Sequence, residues 1–134
     1  MTRDIPDPVA RFSDRVADYV RFRPSYPPAL LTLLRDEVGV GPETTVADVG
    51  SGTGILAAML LETGCRVLGV EPNRLMREAA MDHVGPHAHF RSVAGSAEAT
   101  GLPEASVDLV AAAQAFHWFR VDEAGREFRR ILRP

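Results

Sequence analysis

The fold is decided by the stretch Val46-Ala47-Asp48-Val49-Gly50-Ser51-Gly52-Thr53-Gly54. An apolar strand pattern ends in an aspartate and three alternating glycines, and apolar residues at helical spacing, from Ile55 to Leu60, follow directly. A glycine-rich turn between a strand and a helix allows a ligand to lie against bare backbone at the helix N-terminus. Because a carboxylate at the end of the strand would repel a bound pyrophosphate, the aspartate predicts a ligand whose near end is cationic.

Strand and helix patterns alternate outward from this turn. Strand-like runs cover residues 44–49, 65–70, 88–93 and 107–113, and helical patterns cover 54–63, 73–84 and 121–132. Asn73 is the candidate N-cap of the second of these helices. Alternation of this kind is typical of parallel βαβ units with right-handed crossovers. We therefore predict an α/β fold, a Rossmann-like doubly wound and mainly parallel sheet of about four strands, with a ligand at the carboxyl ends of its strands.

The residues before the first strand are predicted to form a helical lid. Residues 1–11 have the composition of a loose arm, and a first helical face runs from Phe12 to Val20. A second helix is expected to start at Pro27 or Pro28 and to end near Gly39. Its predicted buried stripe consists of Leu30, Leu31, Leu33, Leu34 and Val38. We therefore expect an N-terminal arm and lid over 1–43 and a cofactor-binding core over 44–134, within one domain.

Composition argues against several function classes. The chain has 134 residues and a formal net charge of −3, which gives no attraction to nucleic acid or an anionic membrane. Cys65 is the single cysteine, no signal-peptide pattern is present, and no apolar run approaches the roughly 18 residues that span a bilayer. These features favour the cytoplasm. His83, His87 and His89 lie close in sequence, but nothing is spaced to complete a metal site with them, so no metal is expected.

The glycine-rich turn can be compared with three known kinds of ligand-binding glycine loop. A phosphate-binding P-loop needs a lysine after its last glycine, and all fifteen basic residues of this chain are arginines. A dinucleotide fingerprint would place its third glycine or alanine at position 55, where Ile55 stands, and would put Asp48 beneath two phosphates. The spacing Asp48-x-Gly50-x-Gly52-x-Gly54 instead leaves Asp48 able to pair with an ammonium group.

A second acidic residue follows the second predicted strand. Glu71 lies 21 residues after Gly50 (71 − 50), which is the place of the carboxylate that accepts hydrogen bonds from ribose hydroxyls in a mononucleotide-binding half. A carboxylate suits vicinal hydroxyls because its two oxygens accept two donors at once. Gly95-Ser96-Ala97-Glu98 follows the third strand, where backbone and short side chains could meet an adenine edge.

With these residues in order, the chain resembles the class I S-adenosylmethionine-dependent methyltransferases of the small-molecule type. The resemblance runs from Phe12 to Pro134. It is carried by the glycine loop, by Val67-Leu68-Gly69-Val70-Glu71-Pro72-Asn73, by Gly95 to Glu98, and by Leu102-Pro103 before Val107-Asp108-Leu109-Val110. Each motif alone is moderately specific, whereas the ordered set is strong.

The resemblance implies S-adenosylmethionine as cofactor, with the methionine end at Asp48 and the glycines, the ribose at Glu71 and the adenine at Ala97 and Glu98. The lid would add Tyr19 and Arg23, and the segment after the fourth strand would add Gln114. His117 is the candidate general base. The full set assigned to the cofactor is Tyr19, Arg23, Asp48, Gly50, Ser51, Gly52, Gly54, Glu71, Pro72, Asn73, Ser96, Ala97, Glu98 and Gln114.

The chain departs from the family pattern at its end. The family has a seven-stranded sheet, whereas this sequence stops after the helix that follows the fourth strand, so strands five to seven are expected to be missing. An incomplete sheet edge predicts a homo-oligomer. The leading interpretation is methyl transfer to a small-molecule acceptor. A non-catalytic S-adenosylmethionine-binding or assembly module, left by truncation, is the alternative, and a nicotinamide oxidoreductase is disfavoured by Asp48 and Ile55.

Overall fold

A computed structural model describes residues 26–112 and 120–134 of the chain. Helix α1 spans Pro28–Leu33 and continues as a π-helical turn over Leu34–Val38, and helices α2, α3 and α4 span Ile55–Leu61, Arg74–His83 and Val121–Ile131. Strands β1 to β4 span Thr45–Val49, Arg66–Val70, Phe90–Val93 and Leu109–Ala111. No helix among these residues is long and apolar enough to cross a membrane.

The four strands form one parallel sheet in the order β3-β2-β1-β4. This confirms the predicted α/β fold with a Rossmann-like sheet. The order reverses between β1, which starts the first βαβ unit, and β4 on its other side. In open sheets of this kind the crevice at such a reversal, at the carboxyl ends of the strands, is where ligands bind. The carboxyl end of β1 is the aspartate-and-glycine stretch, which the fold therefore places in this crevice.

Alternate residues of the strands feed two apolar cores, one on each face of the sheet. Val46 and Val67 pack with Leu60 of α2 and Ala80 of α3 in the first core. Ala47, Val49 and Val70 pack with Ala124 and Ile131 of α4 in the second. A strand that is buried on both faces is apolar on both, which is why Val67 to Val70 of β2 form a continuous apolar run.

Helix ends follow the chemistry of single residues. The Asn73 side chain accepts a hydrogen bond from Met76 N at 3.0 Å, so the predicted N-cap of α3 is confirmed. The helical segment that begins at Pro28 ends at Gly39, whose φ of 84° lies in the left-handed region that glycine tolerates. The predicted buried stripe of this segment is wrong in degree at three positions, where Leu30, Leu31 and Leu34 are only half-buried. It is wrong outright at Leu33 and Val38, which are 48% and 51% exposed. Among the described residues nothing covers them.

Helix α4 is held against the loop that joins β3 to β4. Glu127, on α4, accepts hydrogen bonds from the backbone N–H and the hydroxyl of Thr100, at 2.8 and 2.6 Å. Arg130 donates to both oxygens of Glu127 and to Leu102 O. The last predicted strand is shorter than expected: β4 covers only Leu109–Ala111, and Val107, before it, forms a separate bridge with Leu132, after α4.

Candidate functional site

The glycine loop between β1 and α2 is fixed by backbone bonds to the end of β2. Gly50 N and Ser51 N both donate to Val70 O, at 2.8 and 3.2 Å, and Gly54 N donates to Ser51 O at 3.0 Å. Gly50, Gly52 and Gly54 all have positive φ, between 56° and 87°. The loop conformation therefore depends on glycine, as the spacing in the sequence indicates.

Gly52 and Gly54 serve different purposes within this loop. A Cβ at Gly54 would lie 3.0 Å from Val84 Cγ2 and 3.6 Å from Ala80 Cβ, so this glycine permits close packing of the loop on α3. A Cβ at Gly52 would meet no atom of residues 26–112 or 120–134 within 4 Å. Among these residues nothing lies over the Gly52 backbone, so a ligand can approach it there.

Glu71 joins the end of β2 to the glycine loop. Its Oε1 accepts from Gly52 N at 2.9 Å and its Oε2 accepts from Asn73 N at 2.9 Å, while the residue is only 6% exposed. Burial raises the pKa of Glu71, and the two backbone hydrogen bonds and the nearby Arg77 charge oppose that rise. Since a carboxylate can accept about four hydrogen bonds, Glu71 keeps acceptor capacity beyond the two bonds that hold the loop.

Asp48, at the carboxyl end of β1, is the most perturbed group of the site. It is 2% exposed, and its Oδ2 is buried without a hydrogen-bond partner among the described residues. Burial, followed by the negative charge of Glu71, raises the pKa of Asp48 to about 7. The Thr53 hydroxyl, in the loop that follows β1, is the other buried side-chain oxygen without a partner in the described part of the chain. Unpartnered buried polar atoms are rare and costly, and here one lies at the end of β1 and the other in the glycine loop directly after it.

The turn after β3 closes on itself and is anchored to α4. Ser96 N donates to Ala99 O, and Ala99 N donates to both Ser96 O and Ser96 Oγ. The Ala97 methyl packs in the second core, whereas Glu98 reaches out to accept from Arg120 N at 2.7 Å. Partial burial of Glu98 raises its pKa, but the hydrogen bonds, led by that from Arg120 N, lower it more.

The family now follows from comparison with known proteins. A family model described as a methyltransferase domain matches residues 47–134. The chain belongs to the class I S-adenosylmethionine-dependent methyltransferases. The matched range runs from within β1 to the residues after α4, so it includes Asp48, the glycine loop, Glu71 and the turn after β3 together.

Methyltransferases of other organisms resemble the chain beyond the matched range. It is 35% identical to an uncharacterized methyltransferase of Mycobacterium tuberculosis, over 100% of this chain and 52% of that protein. It is 34% identical to one of Schizosaccharomyces pombe, over 92% of this chain and 48% of that protein. A solved structure from Anaeromyxobacter dehalogenans, described as a type II methyltransferase, is 40% identical with a TM-score of 0.70, covering 84% of this chain and 46% of the other. The chain thus spans about half the length of these methyltransferases.

Not every residue predicted for the methyltransferase site can be placed. Asp48, the three glycines, Ser51, Glu71 and Asn73 meet where β1 and β2 end, with Pro72 exposed beside them. Ser96, Ala97 and Glu98 form the turn after the neighbouring strand β3. Tyr19, Arg23, Gln114 and His117 lie outside the described residues. Among the described residues no three histidine, cysteine or carboxylate groups are placed to hold a metal ion.

Two residues that hold this site, Arg77 and His83, were not assigned to it by the sequence analysis. Arg77 donates from Nη1 to the carbonyls of Glu71 and Pro72, both at 2.9 Å, and so secures the turn into α3. His83 places its Nδ1 3.2 Å from Thr53 O, in the glycine loop. The sequence does contain a feature that could have predicted the role of Arg77: it lies four residues after the N-cap Asn73, in the first turns of the helix. Nothing in the sequence pairs His83 with the buried Thr53, because the two are 30 residues apart.

Proposed function

We propose that this chain binds S-adenosylmethionine in the crevice at the ends of β1 and β2 and transfers its methyl group to a small-molecule acceptor. One observation carries the proposal. Two buried carboxylates, Asp48 and Glu71, lie at the carboxyl ends of neighbouring strands, and the Gly52 N–H links Glu71 to the glycine loop that comes after Asp48. A nucleoside that ends in an amino acid offers donors that match both carboxylates.

Asp48 fits the amino-acid end of such a cofactor. Its buried Oδ2 lacks a donor among the described residues, and burial without a donor raises its pKa to about 7. An ammonium group supplies both the missing hydrogen bond and the opposite charge. A pyrophosphate at the same place would add repulsion to an already destabilised carboxylate, which argues against NAD.

Glu71 and Gly52 fit the ribose. The carboxylate of Glu71 retains acceptor capacity for two vicinal hydroxyls after its bonds to Gly52 N and Asn73 N. The open space over Gly52 lets the ligand lie against the loop backbone. Ser96, Ala97 and Glu98 follow β3, on the far side of β2 from β1, and we assign the adenine to their turn.

The protein supplies binding and alignment for the reaction. When bound, S-adenosylmethionine provides an electrophilic methyl group on a sulfonium sulfur. The described residues hold the cofactor, and orientation of two reactants can contribute up to ~7–11 kcal/mol to the barrier reduction. We assign Tyr19, Arg23 and Gln114 to the cofactor as well. His117 is the proposed general base for an acceptor that loses a proton during transfer.

We also propose that copies of the chain associate through β4. Within the described part of the chain, β4 pairs only with β1, so its outer edge has free backbone groups. Light scattering should report a dimer or a larger species. A monodisperse monomer at concentrations where the cofactor binds would contradict this association.

Calorimetric titration tests the proposed function. We expect S-adenosylhomocysteine, the product form of the cofactor, to bind and NAD not to bind. Failure of S-adenosylhomocysteine to bind would overturn the proposal. Binding without turnover on a panel of small-molecule acceptors would favour the non-catalytic binding module instead.

Two glycines give the titration a matched pair of variants. Gly52 and Gly39 both have positive φ, and at neither position would an added Cβ lie within 4 Å of an atom in the part of the chain that the structure describes. Alanine at either position strains the backbone by about 1 kcal/mol. Only Gly52→Ala adds a methyl to the proposed ligand space, so we expect it to weaken binding by ~10-fold or more while Gly39→Ala does not. Equal affinities in the two variants would contradict placement of the ligand over Gly52.

A further inference from the structure

His83 lies at the C-terminal end of α3, against the loop that the ligand is proposed to contact. Its Nδ1 is 3.2 Å from Thr53 O, and the residue is half-buried. A carbonyl oxygen only accepts hydrogen bonds, so the imidazole must donate from Nδ1–H to make this contact. His83 is therefore bound to the glycine loop by a directional bond from an element 30 residues away in sequence.

The glycine loop is held from three sides, and α3 provides one of them. Val70 O anchors the start of the loop at Gly50 and Ser51, and Glu71 anchors Gly52. At the end of the loop, Gly54 packs on Ala80 and Val84 of α3 and its C-cap, beside the bond from His83 to Thr53. The first two anchors hold the loop before Thr53, whereas His83 contacts the carbonyl of the peptide between Thr53 and Gly54, one residue beyond Gly52.

We infer that His83 is a positioning residue, which sets the orientation of the Gly52–Thr53–Gly54 segment and thereby the affinity for the cofactor. This inference rests on the proposed function for its binding readout but not for its structural one. If the imidazole is removed, Thr53 O loses this donor, and the peptide between Thr53 and Gly54 is held only by the bond from Gly54 N to Ser51 O. A peptide held by one bond instead of two is less firmly oriented beneath the ligand, so part of the cost of ordering the loop is transferred to the binding step.

The chain contains a matched control for this contact. His89 places its Nδ1 3.1 Å from Gly64 O, in the loop that follows α2 rather than the loop that precedes it. Both histidines thus contact a backbone carbonyl beside α2, but only His83 does so at the carboxyl end of β1. The same substitution at the two positions separates a general effect of losing such a contact from an effect on the site.

Four variants test the inference by calorimetry with S-adenosylhomocysteine: His83→Ala, His83→Asn, His89→Ala and His89→Asn. We expect His83→Ala to raise the Kd by ~5-fold, the size of one neutral hydrogen bond. His83→Asn should restore affinity to within ~2-fold, because its side-chain N–H stands two bonds from Cβ, as Nδ1 does. Both His89 variants should bind like the wild type. Wild-type affinity in His83→Ala, or an equal loss in His89→Ala, would overturn the inference.

Glycine amide signals in a ¹H–¹⁵N spectrum give a readout that needs no ligand. We expect the signals of Gly52 and Gly54 to shift in His83→Ala, to return in His83→Asn, and to stay in place in His89→Ala. Unshifted signals in His83→Ala would overturn the positioning role even if the Kd rises. A wild-type chain that does not bind S-adenosylhomocysteine while the signals shift would contradict the proposed function and leave the positioning of the loop intact.

Discussion

Two buried carboxylate clusters of this molecule show opposite electrostatics. Under α4, Glu127 is surrounded by donors from Thr100 and Arg130, and these bonds, led by the one from Arg130 and opposed by partial burial, lower its pKa to about 2. At the end of β1, Asp48 has an unpartnered Oδ2 beside a second carboxylate, Glu71, and its pKa is raised to about 7. Both residues are less than a tenth exposed.

The difference between the clusters separates a structural role from a binding role. Glu127 gains more from its donors than it loses by burial, so its cluster stabilises the fold with no ligand. Asp48 loses hydration and gains little in return, so it destabilises the chain by itself. Such strain persists in proteins where another molecule supplies the missing partner. Each prediction below tests whether this division holds.

The largest effect is expected at Glu127. Its replacement by alanine leaves the buried Thr100 donors without an acceptor and Arg130 without its partner. Loss of one member of a buried charged network should lower the free energy of unfolding by about 2–4 kcal/mol, measured by urea denaturation. Glu123→Ala, on the same helix, is the control, because its partner Arg120 is 78% exposed and the pair should contribute below ~0.5 kcal/mol. A loss of similar size in both variants would contradict the structural role of the Glu127 cluster.

An effect of intermediate size is expected at Asp48, where one substitution should increase stability and weaken cofactor binding. Asparagine keeps the size of the side chain and removes the buried charge. We expect Asp48→Asn to raise the free energy of unfolding by about 1 kcal/mol at pH 8 and to weaken S-adenosylhomocysteine binding by ~10-fold. Denaturation and calorimetry on the same preparation measure both changes. A variant that is both less stable and equally able to bind would place Asp48 with Glu127 as a structural residue.

The sequence predicts the cluster of Asp48 and Glu71 but not the cluster around Glu127. Asp48 and Glu71 are near their strand ends, and the carboxyl ends of parallel strands meet at one edge, so spacing along the chain predicts their proximity. Glu127 and Thr100 are 27 residues apart, and neither the helix nor the loop has a pattern that pairs them. Side-chain bonds between distant segments depend on how α4 rotates against the sheet, which local periodicity does not encode.

The difference between local and long-range interactions also explains which predictions about the fold were correct and which were wrong. The sheet and the Asn73 cap rest on alternation and on a local side-chain bond, and both are confirmed. The buried stripe of the first helix is wrong at Leu33 and Val38 because an apolar side chain is buried only where another element covers it. The separate bridge between Val107 and Leu132 was not predicted either, because this pairing depends on where the residues after α4 lie in the fold.

The smallest effect is the dependence of stability on pH. The Asp48 cluster and the Glu127 cluster should change stability in different parts of the pH range and with opposite signs. The raised pKa of Asp48 means that the folded chain holds a proton which the unfolded chain releases near pH 4, so stability falls as pH rises from about 4 to about 7. The lowered pKa of Glu127 has the reverse sign, so the stability that it contributes is lost as pH falls from about 4.5 towards 2.

Thermal denaturation of the wild type, Asp48→Asn and Glu127→Ala across pH 3 to 8 measures both limbs. We expect the advantage of Asp48→Asn over the wild type to shrink by several degrees in melting temperature between pH 8 and pH 5, where about 4 °C corresponds to 1 kcal/mol in a chain of this size. Glu127→Ala should instead flatten the acid limb and leave the neutral limb unchanged. A parallel pH profile for the wild type and Asp48→Asn would mean that the buried carboxylate is already satisfied in the free chain, and the contrast with Glu127 would then fail.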